Sequence, residues 1–116
     1  MILVAEDDLA ISKAVTLLLE HAGYAVDPVL EGLDILGRME KTLPDLLLLD
    51  VYMSGADGRE ICLQLKRNKM MKHIPIIMMT ANNDVKKMAK EARADDFIAK
   101  PFDMFDLLRK IEKYVF

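Results

Sequence analysis

The sequence predicts an α/β fold, a doubly wound parallel sheet of five strands covered by five helices. Three observations carry this prediction. Short apolar runs alternate with amphipathic segments along the whole chain, the pattern of strands joined by crossover helices. One run, "LLLL" at 46–49, is apolar at consecutive positions, as in a strand buried on both faces. The strongest apolar runs also close on polar or turn residues, as strands do where they emerge into solvent. At 116 residues the chain has room for one domain, 1–116, with a real core.

"ILVA" (2–5) is the first strand, and "LAISKAVTLLLEHAG" (9–23) the first helix. Ile11, Ala14, Val15, Leu18 and Ala22 share one helical face, Asp8 is its cap, and Gly23 its stop. "YAV" (24–26) is a weak second strand closed by Asp27 and Pro28, and "LDILGRMEK" (33–41) is a helix weakened by Gly37. The leucine strand ends at Asp50. Asp57 and Glu60 then form a capping box opening the helix "GREICLQLKRN" (58–68). "PIIMMT" (75–80) is the fourth strand, "DVKKMAKEA" (84–92) the fourth helix and "FIA" (97–99) the fifth strand. Asp103 caps the last helix, whose apolar stripe is Met104, Leu107, Leu108, Ile111 and Val115.

Composition narrows the function. A net charge of −3 gives no basic excess for direct nucleic-acid contact. No stretch approaches the roughly 18 apolar residues of a membrane span, and no signal peptide opens the chain, so the expected location is the cytoplasm. The single cysteine, Cys62, sits in a helical pattern as a core residue rather than a reactive thiol. The methionines are expected to be mostly core filler. His21 and His73 are expected to be solvated, as is the basic cluster "KRNKMMKH" (66–73).

In open parallel sheets, ligands bind beyond the carboxyl ends of the strands. The first strand here ends in Glu6, Asp7 and Asp8, the third in Asp50, the fourth in Thr80, and the fifth in Lys100 before Pro101. Each has an ordinary reading: a strand-end Asp caps the next helix, Thr80 is a strand residue, and Lys100 a surface charge. Together they bring acids, a hydroxyl and a cation to one edge. Acids crowded there repel one another, and a hard divalent cation such as Mg²⁺, which takes carboxylates plus waters and phosphate oxygens, would relieve that.

With these residues in place, the chain resembles the receiver domains of two-component response regulators. The resemblance spans nearly the whole sequence, through "ILVAEDD", "PDLLLLDVYMSGADG" (44–58), "IPIIMMTA" (74–81) and "ARADDFIAKPF" (92–102). It implies a flavodoxin-like strand order, 2-1-3-4-5. It also implies Asp50 as phosphoacceptor and Glu6, Asp7, Asp50 and the backbone carbonyl of Tyr52 as Mg²⁺ ligands. Thr80 and Lys100 would meet the phosphoryl group, Phe97 would be the aromatic switch, and the Lys100–Pro101 bond would be cis. The implied partners are a histidine kinase or phosphotransfer protein and a downstream effector domain or protein. A dimer through the face of helix 4, strand 5 and helix 5 is a further implication.

The sequence departs from the family in three places. Ser54 stands where proline is usual, so the loop after Asp50 is expected to be less restrained. Arg93 stands where glycine is usual, which costs about 1 kcal/mol if φ is positive there. Phe97 lacks the hydroxyl of the commoner tyrosine, so its switch is expected to work by packing alone. Tyr52 and Asn82 occupy positions that tune dephosphorylation in the family. Two rivals are weaker. An aspartyl-phosphate phosphatase of the dehalogenase type would have an acid at position 52, and a phosphate-independent module of this fold would lack an acid or the lysine.

Overall fold

Alternation along the apolar runs sends their side chains to opposite faces of one sheet. In the computed structural model, which describes residues 1–81 and 83–115, the elements run β1 (Ile2–Ala5), α1 (Leu9–His21), β2 (Val26–Val29), a 3₁₀ turn (Gly32–Asp34), α2 (Ile35–Lys41) and β3 (Leu46–Asp50). They continue with β4 (Tyr52–Met53), β5 (Ala56–Asp57), α3 (Gly58–Arg67), β6 (Ile76–Thr80), α4 (Val85–Glu91), β7 (Asp96–Ala99) and α5 (Met104–Glu112). The main sheet is parallel throughout, in the order β2-β1-β3-β6-β7. This is the expected 2-1-3-4-5 topology, because β4 and β5 form a separate two-stranded ribbon. On one face Leu3, Leu47, Leu49, Ile76 and Met78 pack against α2, α3 and α4. On the other, Ile2, Val4, Leu48, Ile77 and Met79 pack against α1 and α5. Two covered faces are why the central strands are apolar at every position except the last of β3 and β6, where Asp50 and Thr80 stand.

Several local expectations hold. Asp8 caps α1 by accepting from the Ile11 amide at 3.1 Å. Gly23, at φ +98°, ends α1, and the Tyr24 amide reaches back to the Leu19 carbonyl at 3.0 Å. Asp103 caps α5 through the amides of Phe105 and Asp106. In α4 the core residues are Val85 and Met88, with Ala89 and, just past its end, Ala92. Cys62 is fully buried, and burial pushes its thiol pKa up to about 11, so it packs as an inert core residue. Six methionines, at 39, 53, 71, 78, 79 and 88, are buried, and both histidines are exposed. Arg93 has φ +63°, and the Lys100–Pro101 bond is cis. Among the described residues no helix is long and apolar enough to cross a membrane.

Other expectations need correction. The second strand does not close at Asp27 and Pro28 but runs through them. As an edge strand it bonds only to β1, so the missing proline N–H costs no ladder partner. The buried face of α1 is Ser12, Val15 and Leu19, while Ala14 and Ala22 are exposed. With eight apolar residues crowded into 9–19, several stripes were possible, and packing on Ile2 and Val4 selected one. The second helix begins as a 3₁₀ turn at Gly32. The cap at α3 is made with Arg59 rather than Glu60: Asp57 accepts from the Arg59 amide at 2.9 Å and from its guanidinium at 2.8 Å. Nor is the basic cluster wholly solvated. Lys66 is mostly buried and its ammonium reaches the carbonyls of Lys72 and Ile74 and the Asp95 carboxylate at 2.6 Å.

Candidate functional site

The topology brings the strand-end residues together because all five strands of the main sheet run the same way. Asp50, the last residue of β3, is 5% exposed. Its Oδ1 accepts from the Tyr52 amide at 3.3 Å, and its Oδ2 faces the Lys100 ammonium at 3.1 Å. Glu6, just after β1, is fully buried: Oε1 is bonded to Lys100, and Oε2 accepts from the Asp8 amide at 3.1 Å. Asp7 is exposed, and its Oδ2 accepts from the Ser54 amide at 3.0 Å. Oxygens of Glu6, Asp7 and Asp50 lie within 4.8 Å of one another. Gly58 completes the wall. A Cβ there would sit 2.5 Å from the Asp50 carbonyl, so only glycine lets α3 start so close to the end of β3.

Thr80 ends β6 and is buried. Its neighbour Met79 is in register with Asp50, and its carbonyl accepts from the Lys100 amide at 2.9 Å, so β6 and the residue following β7 arrive at the same edge. Lys100 is therefore held at both ends, by backbone to Thr80 and by its ammonium to two acids. Tyr52 lies in β4, tied to Asp50 through its amide. Asn82 lies outside the described residues.

Phe97, in β7, is half-buried against the core beneath α3 and α4. Packing is not its only contact. The Lys110 ammonium sits 5.3 Å from the ring centroid, within cation–π range, while bonding Asp96 at 2.9 Å. Burial would raise the Asp96 carboxyl pKa, but Lys110, the Phe97 amide and Tyr114 outweigh it and hold the pKa below its ordinary value.

The electrostatics are those of an acid site short of positive charge. Glu6 is pushed up to about 7, chiefly by burial, with Asp50 adding to the shift and the Lys100 bond opposing it. Burial alone would lower the Lys100 ammonium pKa, but Glu6 and Asp50 outweigh it and raise it. One ammonium, bonded to Glu6 and Asp50, serves a group of three carboxylates. Their all-oxygen donor set fits a hard cation such as Mg²⁺ rather than a thiophilic metal.

Fold and site together define a regulatory domain of two-component signalling: the chain belongs to the response regulator receiver domain family, whose pattern matches residues 2–112. It is 34% identical over 112 residues to the DNA-binding dual master transcriptional regulator RpaA of Synechocystis, covering 95% of this chain and 46% of that protein. The chain thus spans about half the length of the curated relatives it matches. Its backbone superimposes with a TM-score of 0.91 on the signal receiver domain of a Syntrophus aciditrophicus histidine kinase (31% identity; 98% of this chain, 88% of that one). A Pseudomonas aeruginosa sensor histidine kinase receiver domain, with a magnesium ion in its active-site cleft, gives 0.88 at 27% identity (97% and 94% covered).

Two features of the site were missed at the sequence level. The Ser54 amide bond to Asp7 was hidden because a backbone donor carries no residue signature. The Lys110 contact with Phe97 was hidden because the two residues lie on different elements.

Proposed function

We propose that this domain accepts a phosphoryl group on Asp50 from a phosphohistidine donor, a histidine kinase or phosphotransfer protein, and uses the modified carboxylate as a signal. The observation that carries this reading is the meeting of Asp50, Glu6 and Asp7 within 4.8 Å, with Lys100 bonded to two of them. An Asp50 oxygen forms the new bond to phosphorus as the phosphorus–nitrogen bond of the donor breaks, and the electron pair leaves with the imidazole. Negative charge then sits on the transferring oxygens, so positioned counter-charge does most of the work. Lys100 is suited to that task, because its ammonium already lies 3.1 Å from the Asp50 carboxylate. Mg²⁺, held by the carboxylates of Glu6, Asp7 and Asp50 and the Tyr52 carbonyl, would supply further positive charge to the same oxygens.

The switch is read on the face of α4, β7 and α5. Three phosphoryl oxygens offer new acceptors for the Thr80 hydroxyl. Movement of Thr80 would let Phe97 turn into the vacated space, and the short apolar stripe of α4 is suited to shifting in response. This face would then be read by an effector domain, or by a second copy of the chain. We assign the site of action to the cytoplasm, where ATP-dependent histidine kinases act.

Incubation with acetyl phosphate and Mg²⁺ tests the chemistry. Intact-mass measurement should find one base-labile phosphoryl group on the wild type and none on Asp50→Asn. Equal labelling of both proteins would refute Asp50 as the acceptor.

A further inference from the structure

We infer that the backbone amide of Ser54 is a positioning group for the cation site: it orients the Asp7 carboxylate and ties the β4–β5 ribbon to it. The inference rests on the cation reading above. Glu6 and Asp50 are immobilised by burial, each with two bonds, but Asp7 is exposed and its side chain lacks that confinement. The Ser54 amide holds Asp7 Oδ2 at 3.0 Å. A carboxylate with one oxygen held by a fixed donor presents the other in a narrowed set of directions. It therefore loses less freedom when a cation arrives.

The donor is itself anchored. The Ser54 carbonyl accepts from the Gly32 amide at 2.9 Å, so both backbone groups of this residue are engaged, one toward the turn before α2 and one toward the acids. Ser54 also closes the ribbon that begins at Tyr52, whose amide bonds Asp50. The 3.0 Å bond therefore fixes the spacing between Asp7 and the segment carrying the Tyr52 carbonyl, two ligands of the proposed set that come from different loops. A proline at 54 has no N–H and cannot make this bond. The serine hydroxyl plays no part, and any residue with a backbone amide would serve.

Calorimetric Mg²⁺ titration of the metal-free chain at pH 8 separates these roles. Ser54→Ala, which keeps the amide, should bind Mg²⁺ as the wild type does. Ser54→Pro should bind about tenfold more weakly, the usual scale for losing a group that orients a ligand. Wild-type affinity in Ser54→Pro, alongside lost affinity in Asp7→Asn, would overturn this inference and leave the cation site standing. No Mg²⁺ uptake by the wild type would overturn the site and this inference with it. If Ser54→Pro does not fold, amide hydrogen exchange on the metal-free wild type still decides. The Ser54 amide should exchange well below its unstructured rate and lose that protection in Asp7→Ala, which removes the accepting oxygen. Unprotected exchange in the wild type would overturn the inference.

Discussion

Replacing Asp50 with asparagine should abolish phosphoryl acceptance yet leave the metal-free domain more stable. The substitution keeps the side-chain volume and an oxygen for the Tyr52 amide, so it isolates the charge. At pH 8, above the Glu6 pKa of about 7, Glu6 carries its charge beside Asp50. A carboxylate within 4.8 Å of Asp50 repels it by at least about 3 kcal/mol at an effective dielectric of about 20. Lys100 at 3.1 Å attracts it by about 5 kcal/mol on the same scale. Two acids against one ammonium leave a net penalty of about 1–2 kcal/mol, before the cost of burying Asp50 is added. Lys100 keeps Glu6 as a partner when Asp50 is neutralised, so no cation is orphaned. Urea denaturation in EDTA at low salt should therefore show a higher midpoint for Asp50→Asn with an unchanged slope. Salt should shrink the gain, because the exposed Asp7 is the most easily screened member. Saturating Mg²⁺ should reverse the order, since only the wild type keeps the full proposed ligand set. A clear loss of stability in the metal-free variant would refute the argument and make Asp50 a structural cap.

Two further outcomes follow from the geometry. Arg93→Gly should stabilise the domain by about 0.5–1 kcal/mol in urea denaturation, since the left-handed backbone at φ +63° favours glycine; a loss of stability would mean that the arginine side chain contributes more than the strain. The native Glu6 pKa lies above the ordinary glutamate value of 4.5, so the folded metal-free protein binds more protons than the unfolded chain; this contribution is fully present below about pH 4.5 and is lost as pH rises through about 7. Comparing wild type with Glu6→Gln from pH 5 to 8 in EDTA should show that fall in the wild type alone, and parallel profiles would refute the assignment.

Much of this protein was legible in the sequence because its signals are local or periodic. "LLLL" before Asp50 is a two-faced strand whatever surrounds it, and Asp8, Gly23 and Asp103 mark helix ends through bonds spanning a few residues. The rule that sites form at the carboxyl ends of parallel strands then places Glu6, Asp7, Asp50, Thr80 and Lys100 on one edge from the sequence alone. What the sequence could not decide were choices made by packing and by the backbone. The buried stripe of α1 was picked from several by contact with β1, and Pro28 was admitted to β2 because that strand is an edge. Lys66 looked like a surface charge until Asp95, 29 residues away, came within 2.6 Å of it. The Ser54 amide and the Lys110 ammonium took their roles at Asp7 and Phe97 in the same way. A hydrogen bond or a cation–π contact depends on ångström distances between distant segments, and only the folded chain sets those distances.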